Sequence, residues 1–201
     1  MKKSSLNVPN TLSLIRVCLV PIFVATLLFM RNIEIWGFIV PAVVYVITGL
    51  TDMLDGKIAR KYNLVTDFGK FIDPLADKFM VLASMITILV WQMLIGNVTL
   101  ALVFVWVVLV ILLRELGVTS LRLVVAGKSG IVVAASMLGK IKTVSQMVGT
   151  VIIILEPMID VAICREYHVF SYVSMAVMAF TTLFSGIDYL KAYLPHIDSN
   201  K

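Results

Sequence analysis

T-D-M-L-D-G-K-I-A-R-K-Y-N-L-V-T-D-F-G-K-F-I-D-P-L-A-D-K, residues 51–78, sets four of its five aspartates, Asp52, Asp55, Asp73 and Asp77, at the ends of two strongly hydrophobic segments, where a bilayer makes charge costly. If the flanking segments are helical, Asp52 and Asp55 stand at i, i+3 on one helix and Asp73 and Asp77 at i, i+4 on the next. Each pair then shares a face. Residues 61–65 form a short connection, which predicts that the second helix folds back beside the first and that the two pairs converge. Converging carboxylates need cations. Oxygen ligands of this kind suit Mg²⁺, Mn²⁺ or Ca²⁺ rather than zinc, and two such ions could share the cluster while leaving positions for phosphate oxygens. Gly56, Ala59 and Gly69 put small residues on the same faces, leaving room for a bound group to approach the backbone. An aspartate at a membrane helix end can simply be solvated at the interface. That explains any one of the four, but not the shared faces or the small residues between them.

The 201 residues are 60% hydrophobic and only 14% charged, and the apolar residues come in runs instead of amphipathic alternation, which marks a membrane protein. A span needs about 20 apolar residues to cross roughly 30 Å of hydrocarbon, so six spans take on the order of 120 residues and leave short loops. The expected fold is all-α, an integral membrane bundle of six transmembrane helices near 11–30, 35–59, 67–92, 98–122, 139–158 and 168–192. It forms one domain over residues 1–201, with no room for a soluble domain beside it. The first apolar run follows Asn10 and lacks a small-residue cleavage site, so it reads as a retained span. Cys18 and Cys164 are too far apart in this topology to bridge and have no ligand spacing. No repeat, low-complexity tract or nucleic-acid module is present.

The sidedness of the charges matters more than their +5 sum. With these spans, Lys2, Lys3, Arg16, Lys57, Arg60, Lys61, Lys70, Lys78, Arg114, Arg122, Lys128, Lys140, Lys142, Lys191 and Lys201 share one side with both termini, and only Arg31 and Arg165 fall on the other. Fifteen against two predicts cytoplasmic termini and a cytoplasmic aspartate cluster.

Several other positions carry chemistry or shape. Asn10, Thr11, Ser13 and Arg16 are polar for the start of a membrane helix; a nearby anion would explain Arg16, as would snorkelling, with Asn10 as an N-cap. Pro21 and Pro41 predict kinks. Thr66 and Asp67 suit a helix cap. Trp91 with Gly96 and Asn97 predicts a tight outer turn and an interfacial tryptophan. Arg122 fits a cytoplasmic helix end, whereas Arg114 lies roughly 12 Å deeper by helix rise and needs a partner. Its neighbour Glu115 should point away, leaving the aspartate cluster, another helix or an anion. A loop is expected over 123–136. Lys140 and Lys142 then oppose the dipole of a helix N-terminus, a conflict that a bound anion removes; together with Ser136, Thr143 and Gln146 they suggest a phosphate site. Residues 156–168 show no pattern. Ser185, Gly186 and Asp188 suit helix packing, and residues 195–201 read as a loose tail.

The spacing Asp52-x2-Asp55-Gly56-x2-Ala59-Arg60-x8-Gly69-x3-Asp73-x3-Asp77 resembles the complete signature of the CDP-alcohol phosphatidyltransferases. The resemblance implies transfer of a phosphatidyl group from CDP-diacylglycerol to an alcohol, with CMP leaving. It implies two Mg²⁺ or Mn²⁺ ions held by Asp52, Asp55, Asp73 and Asp77, with Asp77 as general base. Gly56, Arg60 and Thr66 would hold the CDP group together with Asn10 and Ser13, the latter standing where threonine is frequent in the family. The segments 7–16, 65–78, 114–122 and 134–146 resemble in particular the bacterial members that use sn-glycerol 3-phosphate. This implies phosphatidylglycerophosphate as product, with Arg114, Arg122, Lys140 and Lys142 on the acceptor phosphate. It also implies a multi-pass protein of the bacterial cell membrane and, as is common in the family, a homodimer. The alternatives are another acceptor such as inositol phosphate or, from a different class, a small cation transporter. The second is disfavoured by acids gathered at one face and by the lack of an inverted repeat.

Overall fold

A computed structural model describes residues 8–62, 66–129, 136–159 and 167–197, with the side chains of 8–9, 52–62, 67, 70, 126, 128–129 and 194–197 outside that description. The described residues form six long helices: α1 (Val8–Phe29), α2 (Trp36–Tyr62), α3 (Asp67–Leu94), α4 (Val98–Ser129), α5 (Met137–Leu155) and α6 (Val169–Ile197). A short 3-10 turn over Glu156–Met158 follows α5. No strand occurs among the described residues. Helices α1, α3, α4, α5 and α6 each contain a stretch long and apolar enough to cross a membrane, and α2 contributes the shorter apolar stretch Trp36–Thr51. The six-helix membrane architecture read from the hydrophobic runs is therefore the one observed. Many large apolar side chains face outward, Phe29 at 80%, Leu113 at 77% and Trp106 at 72% exposure. Lipid, not water, is the medium that makes such a surface stable.

The helices gather into two compact units. In the first, residues 1–97 with 157–160, α1 packs against both α2 and α3. Phe23 meets Tyr45 with ring centroids 5.2 Å apart, and Phe38 meets Trp91 edge-on at 6.2 Å. Trp91 is fully buried in this core, which corrects the expectation of an interfacial belt residue: the indole supplies packing area against Phe38. The turn after it follows the sequence reading. Gly96 takes φ +88°, its N–H donates to the Met93 carbonyl and the Asn97 N–H to the Gln92 carbonyl. This is a Schellman closure, which needs a residue free to adopt a left-handed backbone.

In the second unit, residues 98–156 with 161–201, α6 packs against both α4 and α5. Helix α4 continues through residues 123–129 to Ser129, where a loop was expected. Leu123, Val124 and Val125 contain no breaker, and buried Val125 joins Val118, Tyr189 and Tyr193 in a core cluster, so packing and apolar content carry the helix past the span end expected at residue 122. At 32 residues, α4 is roughly 48 Å long. Residues 130–135, the rest of the expected loop, lie outside the described residues. Helix α6 likewise runs past Pro195 to Ile197, shortening the tail expected from residue 195. The segment without a readable pattern holds a cap: buried Glu156 accepts from the N–H groups of Phe170 (2.8 Å) and Ser171 (2.9 Å) and from the Ser171 hydroxyl. It thereby satisfies donors at the start of α6.

Candidate active site

Thr66 caps α3, its hydroxyl oxygen accepting from the Gly69 N–H at 3.0 Å. That cap orients the first turns of α3, on which Asp73 and Asp77 stand one turn apart. The polar start of α1 meets it. Asn10 Nδ2 donates to Thr66 Oγ1 at 2.8 Å, and Ser13 Oγ donates to Asp73 Oδ1 at 2.6 Å. Asn10, Ser13 and Arg16 are all buried to 1% exposure or less, and their i, i+3, i+6 spacing places them along one side of α1. A side of a membrane helix this polar is stable only where protein, not lipid, covers it.

Gly69 explains how the two helices come so close. A Cβ at that position would lie 2.7 Å from Asn10 Oδ1 and 3.3 Å from Thr66 Oγ1. The space left by the missing side chain is thus occupied by Asn10, which corrects the expectation that it admits a bound group. Asp73 and Asp77 are both partly exposed. Two oxygen-only side chains one turn apart, one already fixed by a hydroxyl donor, fit a hard divalent cation as part of its ligand set. The side chains of Asp52, Asp55 and Arg60, and the surroundings of Gly56, lie outside the description, and the described residues alone contain no group of three metal-binding side chains.

The predicted acceptor residues lie in the second unit. Arg114 Nη1 donates to Glu115 at 2.9 Å and Arg114 Nη2 to Ser185 at 2.7 Å, while Lys142 Nζ reaches the same Glu115 oxygen at 2.5 Å. Glu115 was expected to point away from Arg114. Successive helix residues diverge, but the long arginine side chain bends back, and buried Lys142 draws the carboxylate inward. Arg114 and Lys142 thus share one counter-charge. Arg122 and Lys140 are exposed, and Arg122 Nη2 donates to Tyr189 Oη at 2.7 Å. Ser136 caps α5, accepting from the Gly139 N–H at 3.1 Å. Thr143 bonds the Gly139 carbonyl of its own helix and Gln146 the Thr182 hydroxyl at 3.2 Å.

Glu115 and Tyr189 are the participants that sequence reasoning missed. Glu115 carried a signal, as an acid inside a span next to an arginine; Tyr189 carried none beyond its helical spacing from Ser185.

Residues 6–185 match the family model described as CDP-alcohol phosphatidyltransferase. The chain is similar to the CDP-diacylglycerol--glycerol-3-phosphate 3-phosphatidyltransferase of Bacillus subtilis (strain 168), at 39% identity over 192 residues that cover 91% of this chain and 93% of the relative. It is similar to the probable phosphatidylglycerophosphate synthase of Mycobacterium tuberculosis (strain CDC 1551 / Oshkosh), at 35% identity with 95% and 83% covered. It is also similar to the CDP-diacylglycerol--glycerol-3-phosphate 3-phosphatidyltransferase of Pseudomonas fluorescens, at 31% identity with 97% and 94% covered. A match of this extent reaches well beyond the aspartate motif, through the capped start of α3 and the cationic residues of α4 and α5: the chain belongs to the CDP-alcohol phosphatidyltransferase family.

Proposed function

We propose that this chain transfers the phosphatidyl group of CDP-diacylglycerol to sn-glycerol 3-phosphate, giving phosphatidylglycerophosphate and CMP. The observation that carries this reading is the set of relatives bearing that activity in their names, aligned over nine-tenths or more of the chain. A hydroxyl oxygen of the acceptor forms a bond to the phosphatidyl phosphorus, the bond from that phosphorus to the CMP oxygen breaks, and the hydroxyl proton passes to Asp77. Ser13 holds Asp73 in place. Asn10 and Thr66 fix the mouth of α3, where Gly56 and Arg60 join them in holding the CDP group. Arg122 and Lys140 present cationic groups to the acceptor phosphate, and Arg114 and Lys142, tied to Glu115, add to the positive field behind them.

Asp52, Asp55, Asp73 and Asp77 would hold Mg²⁺ or Mn²⁺, two ions in this reading, which when bound neutralise the diphosphate and stabilise the departing CMP. The site and both termini face the cytoplasm, supported by the fifteen-to-two division of basic residues, within one catalytic membrane domain that acts as a homodimer in the bacterial cell membrane.

The test uses the full chain in vesicles containing CDP-diacylglycerol. Adding sn-glycerol 3-phosphate with Mg²⁺ or Mn²⁺ yields CMP and phosphatidylglycerophosphate in equal amounts, and chelation stops both. Asp73→Asn and Asp77→Asn each lower turnover by about a hundredfold or more while the protein still inserts and melts cooperatively. Undiminished turnover in either variant removes that residue from the mechanism. Preference for inositol 1-phosphate or serine would overturn the acceptor, and cation flux without CMP release would overturn the transferase.

A further inference from the structure

Tyr189 on α6 is only 3% exposed, and it stands where the cationic residues of the second unit meet. Arg122 Cζ lies 4.9 Å and Arg114 Cζ 5.2 Å from its ring centroid, both within cation–π range. Its hydroxyl oxygen accepts from Arg122 Nη2 at 2.7 Å and from the backbone N–H of Ser136, the cap of α5, at 3.4 Å. A Cβ at Gly139 would lie 3.4 Å from Tyr189 Cε2 and Oη, so the first turn of α5 rests on the phenol edge. One side chain therefore joins α4, α5 and α6.

Both recorded bonds of that hydroxyl are accepted ones. The phenol still has its own hydrogen to donate, and among the described residues no acceptor receives it. Its recognised neighbours on that side are donors: the Arg122 guanidinium and the Ser136 N–H at the start of α5. Arg114 cannot reverse this, since its two terminal nitrogens are committed to Glu115 and Ser185. A guanidinium and a backbone N–H converging on a buried hydroxyl whose own hydrogen is left to donate make a setting that an anion completes.

We propose that Tyr189 sets the affinity for the acceptor phosphate: its ring and hydroxyl hold Arg122 against the N-terminus of α5, and its free O–H hydrogen is given to the same phosphate. This rests on the acceptor reading above. Tyr189→Phe keeps the ring and both guanidinium contacts but removes the hydroxyl. It raises the KM for sn-glycerol 3-phosphate roughly tenfold, while kcat and the KM for CDP-diacylglycerol stay within about twofold; the unchanged donor KM also shows that the variant is folded. Tyr189→Leu, which removes the ring as well, raises the acceptor KM further. Combining Tyr189→Phe with Arg122→Lys costs little more than the worse single change, because both remove one shared interaction.

An unchanged acceptor KM in Tyr189→Phe, an equal rise in both KM values, or fully additive effects with Arg122→Lys would each overturn the assignment. Wild-type protein assayed alongside separates the two levels. If it does not use sn-glycerol 3-phosphate, the acceptor reading fails; if it does and Tyr189→Phe behaves like wild type, only the role of Tyr189 fails.

Discussion

Ser13 on α1 donates its hydroxyl hydrogen to Asp73 Oδ1 on α3 across 2.6 Å, although sixty positions separate them in the chain. If Asp73 holds a cation, as proposed above, its carboxylate gains two things from such a partner. One of its oxygens is fixed in direction, and its rotamer no longer has to be ordered when the ion arrives.

Removing that donor should be costly, and replacing it conservatively should not. Ser13→Ala lowers divalent-ion affinity or turnover by about 10- to 100-fold, the usual range for a partner that orients a ligand. Ser13→Thr keeps the hydroxyl and retains most of the activity. Turnover measured across a Mn²⁺ titration checks this; equal activity for the alanine and threonine variants would show that the bond to Asp73 does not matter.

Gly69→Ala tests the approach of α1 to α3. The new methyl group would stand 2.7 Å from Asn10 Oδ1, so Asn10 must swing away from Thr66 or the helices must separate. Either response costs about 1–3 kcal/mol, read as a lower melting temperature in detergent, and weakens binding of CDP-diacylglycerol. An unshifted melting curve would mean that Asn10 moves aside freely.

Lys140 and Lys142 are two residues apart and should respond differently. Lys140 is exposed, so Lys140→Ala raises the acceptor KM and leaves stability near wild type. Lys142 is buried against Glu115. Lys142→Ala leaves that carboxylate with Arg114 alone, and breaking a buried pair in this way costs about 3–5 kcal/mol. Lys142→Ala combined with Glu115→Gln recovers part of the loss, since no uncompensated acid remains. Melting temperatures of the three variants give the answer, and equal stability for Lys140→Ala and Lys142→Ala would contradict the buried pairing.

What could be read from the amino-acid order divides along a physical line. Helix α3 was legible because its signals are local: Thr66 three residues before Gly69, aspartates at helical spacing, and Gly96-Asn97 closing the far end. The six helices were legible because lipid demands long apolar runs. Contacts made across the fold were not. Nothing near Glu156 announces that it caps a helix beginning thirteen residues later, and an arginine beside a glutamate gives no hint that a lysine from another helix fixes the acid. Trp91 illustrates the ambiguity most plainly, since a tryptophan near the end of a span suits a headgroup belt and a packed core equally well. Helix α4 was cut short in the reading because apolar content, not helical content, was taken to set its end. The convergence of Asp52 and Asp55 with Asp73 and Asp77 lies outside the described residues.

The length of α4 carries a consequence for the cell. Even with a tilt of about 20°, a helix of 32 residues extends roughly 45 Å along the bilayer normal, against about 30 Å of hydrocarbon. Some 15 Å of it therefore stands among headgroups or in water, and the inner part of that overhang bears Arg122. Thickening or thinning the bilayer by a few ångströms slides that guanidinium relative to the plane of lipid phosphates. The catalyst would then register the thickness of the membrane whose lipids it helps to make.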